Sequence, residues 1–276
     1  MRARFYEIAL RTPSPHELAN FYRDALGYEF RNEGEGALGV AVDRRIRLVS
    51  GPAKSLEYAV YAANTEKDLA HLIARLDQAK IQREGSDIAG LKRGAVRFAD
   101  PDGNSFAFGV ADQLASPGTA DGVPMSARIQ HIVFASTNIQ RMIDFFVDVI
   151  GFQLSDRVLD SSGGLKTAFL RCSEEHHSLA IFAASENRLD HHCYESRNWN
   201  EIRDWADHLA KLRIPLKWGP GRHGPGDNLF IFVHDPDGNW VEISAELEIV
   251  QADRAIGEWP HEERTLNSWG AAPLRS

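Results

Sequence analysis

The sequence predicts an α+β protein made of two tandem modules, each assembled from paired βαβββ units. Three observations carry this. The chain repeats itself at long period, from residue 5 and again from residue 129. Within each copy, short strand-like segments alternate with amphipathic helical ones. Each copy ends in the same strand, DPDG turn, strand pattern, which Asp-Gly turn chemistry favours.

The elements follow in order. "FYEIALRTPSPHELANFYRDALGYEF" (Phe5 to Phe30) matches "IQHIVFASTNIQRMIDFFVDVIGFQL" (Ile129 to Leu154). Each opens with an alternating apolar strand and continues into a helix with paired aromatics, Phe21 and Tyr22 or Phe145 and Phe146. Each helix stops at a glycine, Gly27 or Gly151, where a left-handed cap suits a residue without Cβ. "LEYAVYAANTEKDLAHLIARLDQAKI" (Leu56 to Ile81) then matches "LDHHCYESRNWNEIRDWADHLAKLRI" (Leu189 to Ile214), a strand followed by a helix. Leu69, Leu72, Ile73 and Leu76 form the apolar stripe of the first such helix. "RFADPDGNSFAF" (Arg97 to Phe108) and "IFVHDPDGNWVEI" (Ile231 to Ile243) close the copies as hairpins. The expected layout is a first module over 1–114, a Gly/Pro-rich linker over 115–126 and a second module over 127–250. A tail over 251–276 has no twin, and its Trp259 and Trp269 point to packing on the body.

Bulk properties narrow the function. The hydrophobic fraction of 43% and the charged fraction of 25% are ordinary for a globular protein. A net charge of -8 without a basic run argues against a nucleic-acid partner. No segment reaches the length of a membrane span, and "MRARFYEIAL" is too short in its apolar part for a signal peptide. Cys172 and Cys193 lie apart without a CxxC spacing and read as reduced thiols of a cytoplasmic protein. Most of the 11 histidines lie beyond residue 130, so the copies differ in chemistry.

The repeat supplies its own control. His131 stands where the first copy has Glu7, His191 where it has Tyr58, and Glu242 where it has Ala107. The fold therefore does not require these side chains. Read singly, His131 could be a satisfied strand histidine and Glu242 a rim carboxylate. Together, on strands converging on one concave face, they form a two-histidine, one-carboxylate set that suits non-haem Fe(II) and leaves positions open. A buried Glu242 without a cation would carry a desolvation penalty of several kcal/mol, roughly, which a divalent ion offsets. His192 alternates with His191 and should face the other way. Cys193 shares the His191 face and could line a pocket. Trp199 and Trp205 follow on a helix and read as core, with an aromatic pocket wall as the alternative. Asp235 to Gly238 recur as Asp100 to Gly103 and belong to the turn.

These segments resemble the two-module extradiol ring-cleavage dioxygenases of the vicinal oxygen chelate superfamily, which also holds glyoxalase and bleomycin-resistance proteins. The likeness covers nearly the whole chain. It rests on "RIQHIVF" with His131, "HHSLA" from His176, "RLDHH" ending at His192, and the run from His223 through Phe232 and DPDG to Glu242. The resemblance implies modules forming incomplete mixed barrels, with Fe(II), or Mn(II), on His131, His191 and Glu242. It implies that His177 does acid/base work and that His223 donates to a substrate oxygen. It implies a small aromatic diol and O2 as reactants, a ring-opened semialdehyde-type product in aromatic catabolism, and a homo-oligomer. One departure stands out. Phe232 replaces the family's usual tyrosine, keeping the shape and losing a donor.

Three rivals remain open. A glyoxalase-like isomerase or thiol transferase draws ligands from both modules, which the bare first copy disfavours. A sequestering protein needs no ligand set. Ring cleavage of a hydroquinone or aminophenol is kept alive by Phe232.

Overall fold

The computed structural model describes residues 1–112, 127–251 and 253–274. The linker expected over 115–126 lies outside the described residues. The first module runs β1 (Ala3–Thr12), α1 (Pro15–Leu26), β2 (Glu29–Glu33), β3 (Gly36–Ala41), β4 (Arg44–Ser50), and then β5 (Ser55–Ala63), α2 (Glu66–Gln78), β6 (Arg83–Gly85), β7 (Val96–Ala99), β8 (Ser105–Val110). The second repeats it as β9 (Arg128–Ser136), α3 (Ile139–Asp144), β10 (Gln153–Leu159), β11 (Leu165–Arg171), β12 (Leu179–Ala183), and β13 (Arg188–Ser196), α4 (Trp199–Lys211), β14 (Trp218–Arg222), β15 (Leu229–His234), β16 (Trp240–Ala245). Each module is thus two complete βαβββ units. The tail adds β17 (Gly257–Pro260) and α5 (Glu263–Leu266).

Local chemistry sets the helix ends. Pro15 sits in the first turn of α1, and Gly27 closes it at φ 68. Asn138 and Asn198 cap α3 and α4 by accepting backbone N–H bonds. The helix after β9 departs from expectation: α3 loosens into a π-helical segment over Phe145–Ile150 before Gly151 at φ 93. The wider turn buries both Phe145 and Phe146 in the core. On α4, Trp205 is fully buried but Trp199 is 41% exposed and meets Trp269 of the tail edge-on. The reading of Trp199 as core is corrected: it lies in the first turn, off the Ile202–Trp205–Leu209 stripe.

The sheets run β2-β3-β4-β1-β5-β8-β7-β6 and β14-β15-β16-β13-β9-β12-β11-β10-β17, curved and open rather than closed barrels. In the second sheet, β13 lies between β9 and β16, so Cys193 pairs with both His131 and Glu242. In the first, Val60 pairs with both Glu7 and Ala107. The sequence correspondence of the copies is therefore also the structural one.

The helices of the two modules pack into one continuous core, where Phe106 meets Phe134 at 5.7 Å and Phe146 at 5.2 Å. Polar anchors cross the junction as well. Tyr61 donates to the Ser178 carbonyl at 2.8 Å, and Tyr22 donates to Asp235 at 3.0 Å. The first module thus braces the segment just before β12, beside His177, and the turn after β15.

Candidate metal centre

His131, His191 and Glu242 project from adjacent strands β9, β13 and β16 into the concave face of the second sheet. Each offers a ligand-type atom, and these atoms all lie within 4.8 Å of one another. The three are almost wholly buried. Glu242 Oε2 is 3.1 Å from His131 Nε2 and 3.2 Å from His191 Nε2. Its other oxygen is 3.6 Å from His223 Nε2 and accepts from Asn228 Nδ2 at 3.3 Å.

The outward bonds of the imidazoles decide what faces inward. His131 Nδ1 lies 2.5 Å from Gln130 Oε1, and His191 Nδ1 lies 2.7 Å from Asp190 Oδ1. Both partners accept, so both rings carry their proton on Nδ1 and turn the Nε2 lone pair inward. His223 does the same, with Nδ1 donating to the Leu266 carbonyl at 2.5 Å. Neutral imidazole lone pairs directed at a buried carboxylate repel it. A cation between them removes the conflict, and this donor set, two nitrogens and one oxygen, fits a divalent transition metal. Without one, burial lowers the His131 pKa. At His191 burial is outweighed by Asp190 and Glu242, and the pKa rises. Burial alone would raise Glu242, but when no metal is present protons taken up on Nε2 of the surrounding histidines donate to it and hold it well below the usual carboxylate range. The site therefore attracts positive charge.

The cavity over these groups is small, about 40 Å³. Val133, Phe169, Ala180, Phe182, Trp218 and Phe232 make its walls apolar, and among the described residues no Lys or Arg lines it. Thr265 and Leu266 of the tail close one side. Two larger clefts, of about 400 and 550 Å³, lie elsewhere and hold none of these histidines.

The other expected residues can now be placed. His177 lines the cavity, with its ring centroid 4.4 Å from that of His131. Burial pushes its pKa well below the ordinary value. Phe232 packs edge-on to His191 and stacks on Trp218 at 5.1 Å. His192 faces away and lies 3.2 Å from the Tyr22 hydroxyl of the first module. Cys193 is fully buried, donates to Ser244 Oγ and is not among the cavity's lining residues.

Sequence reasoning missed Gln130 and Asp190, although each is a polar residue directly before a proposed ligand in an apolar strand. It also missed Trp218, Thr265 and Leu266. Trp218 lies in the least repeat-like strand, and the tail has no second copy to expose what is special in it.

The profile of the Glyoxalase/Bleomycin resistance protein/Dioxygenase superfamily matches residues 4–108 and 128–243. The chain belongs to this superfamily. Within it, a biphenyl-2,3-diol 1,2-dioxygenase from Paraburkholderia xenovorans (strain LB400) is 31% identical over 252 residues, covering 84% of this chain and 81% of the relative. Metapyrocatechase 2 from Cupriavidus necator is 28% identical over 278 residues, covering 92% and 84%. Other superfamily members matched are named as an iron-dependent extradiol dioxygenase and a manganese-dependent 2,3-dihydroxybiphenyl 1,2-dioxygenase. The fold superposes on homoprotocatechuate 2,3-dioxygenase from Arthrobacter globiformis with a TM-score of 0.86 at 20% identity, covering 98% of this chain and 88% of that one. Among the described residues, no helix is long and apolar enough to cross a membrane.

Proposed function

We propose that this protein is an extradiol dioxygenase that opens the ring of an aromatic diol with O2, using Fe(II), or Mn(II), held by His131, His191 and Glu242. The convergence of two Nε2 lone pairs on the buried Glu242 carboxylate is the observation that carries this reading. The names of the relatives support the same chemistry and both metals. The catalytic unit is the second module, 127–250, with the described residues of the 251–276 tail packed on it; the first module, 1–114, is joined through 115–126. A cytoplasmic homo-oligomer completes the proposal, and sedimentation of the purified protein tests its assembly.

A divalent metal held by His131, His191 and Glu242 would supply the Lewis acidity that acidifies a diol hydroxyl and would bring the diol and O2 together. The chain does the rest. His223, with Nδ1 committed to Leu266, presents Nε2 as an acceptor. It takes a diol proton first and donates to a substrate oxygen only afterwards. His177 sits across the cavity as the second proton-handling group. Phe232 and Trp218 form the apolar wall that positions the ring and keeps water out. The apolar walls, with no cation among the described lining residues, favour diols with apolar or no substituents over carboxylated ones. Cleavage of a hydroquinone or an aminophenol is the second reading, favoured by Phe232 alone.

The test is direct. The protein is purified without oxygen, loaded with Fe(II) and offered catechol, 3-phenylcatechol, 3,4-dihydroxyphenylacetate, hydroquinone and 2-aminophenol in air. The expected result is a yellow ring-fission product and one O2 consumed per apolar catechol. Silence on every diol, with activity on methylglyoxal and glutathione, would transfer the site to isomerase chemistry.

A further inference from the structure

Behind His177 the structure places a second imidazole and a carboxylate in series, all three buried. His177 Nδ1 lies 3.0 Å from His176 Nδ1, and His176 Nε2 lies 3.1 Å from Asp156 Oδ2. Asp156 also accepts from three tail groups: Arg254 Nη1 at 2.8 Å, Trp259 Nε1 at 2.7 Å and the Gly257 backbone N–H at 3.1 Å. We propose that His176 and Asp156 are positioning residues for His177, fixing its proton on Nδ1 so that Nε2 faces the cavity as a free acceptor.

Burial would raise Asp156, but His176, Arg254 and Trp259 outweigh it and hold the group ionised, so it can only accept. His176 Nε2 lies at ion-pair distance from that carboxylate, without a well-aligned hydrogen bond, and the carboxylate's charge favours a proton there. As a neutral ring it has one remaining nitrogen, Nδ1, and that must be an acceptor. The short Nδ1–Nδ1 contact then requires His177 to donate. The His177 backbone is pinned independently, its carbonyl accepting from Gln130 Nε2 at 2.6 Å. The His176 ring is confined too. Gly226 passes it at φ 80, and a Cβ there would come within 3.0 Å of His176 Nδ1. His177 thereby joins the pattern of His131, His191 and His223, each anchored through Nδ1.

Two measurements test this. The first uses the metal-free full chain labelled with ¹⁵N-histidine, whose long-range ¹H–¹⁵N spectrum reports the tautomer of each ring. His177 is expected as the Nδ1–H form in the wild type and in His176→Gln, whose amide oxygen can still accept, and to lose that form in His176→Leu. An Nε2–H form in the wild type, as an imidazolium at His176 would impose, overturns the proposal. The second uses the Fe(II)-loaded enzyme and so rests on the function proposed above. His176→Leu should lower kcat by about 10–100-fold, with KM and iron content within about twofold, and His176→Gln should recover most of kcat. Full activity in His176→Leu, or parallel loss of iron, KM and kcat, would reduce the pair to packing. Should no diol be cleaved at all, the ¹⁵N spectrum still decides the proposal, and should His176→Leu not fold, the wild-type and His176→Gln spectra decide it.

Discussion

The two modules solve one electrostatic problem in two ways. Each buries a carboxylate on the concave face of its sheet, Glu7 in the first and Glu242 in the second. Glu7 is met by Arg45 Nε at 3.0 Å and Arg47 Nε at 3.4 Å, with the Tyr58 hydroxyl donating at 3.4 Å. Through the strand pairing of β4 with β1 and of β12 with β9, Arg45 and Arg47 occupy the places of Ser178 and Ala180. The first module thus carries its cations covalently and fills the cup with them. The second has removed the guanidinium groups, substituted neutral imidazoles and kept the space. What the difference teaches is that a buried carboxylate needs a positive charge, and that a catalytic copy leaves that charge to an exchangeable ion.

The sharpest way to break this comparison is to remove a proposed ligand. Glu242→Ala and His191→Ala should each retain no iron after gel filtration and lose ring cleavage, whereas His192→Ala keeps both. Iron loss confined to His192→Ala would mean that the wrong neighbour was chosen. The matching change in the other module, Glu7→Ala, should leave iron content untouched. It removes the carboxylate that Arg45 and Arg47 share, while Arg45 keeps the Ala89 carbonyl and Arg47 keeps Glu33, and should cost about 2 kcal/mol in urea unfolding. An iron deficit in Glu7→Ala would erase the distinction between the cups.

A smaller effect separates ligands from the groups that aim them. Asp190→Ala should weaken iron affinity by about 10–100-fold in a chelator competition, because the Nδ1 proton of His191 loses its acceptor. How such groups were legible differs from residue to residue. The paired βαβββ layout and the triad could be read because the chain contains a second copy that builds the same strands without them. Asp190 and Gln130 left a weaker trace, a polar residue before each ligand. Asp156 and His176 left almost none. Their contact spans twenty residues, and what keeps Asp156 ionised comes from Arg254 and Trp259, about a hundred residues further on in a tail without a twin. The π-helical widening after α3 likewise depends on packing, not on any local breaker.

Glu195 gives the comparison a pH axis. Its positions on β13 and its partner Ser244 on β16 correspond to Ala62 and Gly109 in the first module. Burial, only partly offset by Ser244, Leu247 and Arg128, raises the Glu195 pKa to about 7. A folded-state value above that of the unfolded chain means the protonated form favours folding. Its contribution is present at low pH and is lost as pH climbs through about 7. Glu195→Gln removes that dependence. Relative to wild type its stability should rise between pH 5 and pH 8 by about 2 kcal/mol, measured by thermal unfolding across that window. A difference independent of pH would mean that Glu195 ionises normally when folded.

The mildest change concerns Phe232, where the cavity presents a bare ring between Trp218 and His191. Phe232→Tyr adds one hydroxyl at the edge of the proposed diol site. If the catechol oxygens there lack a protein donor, the new hydrogen bond should be worth about 1 kcal/mol, roughly a fivefold gain in kcat/KM for catechol. For 2-aminophenol, whose nitrogen makes a different demand on a donor, the gain should be smaller. Stopped-flow turnover of both substrates by both proteins measures the ratio. Equal gains would show that the hydroxyl acts on the ring wall and not on the oxygen. A loss for catechol would mean that another donor already serves that oxygen and that Phe232 keeps the cavity free of a competing one.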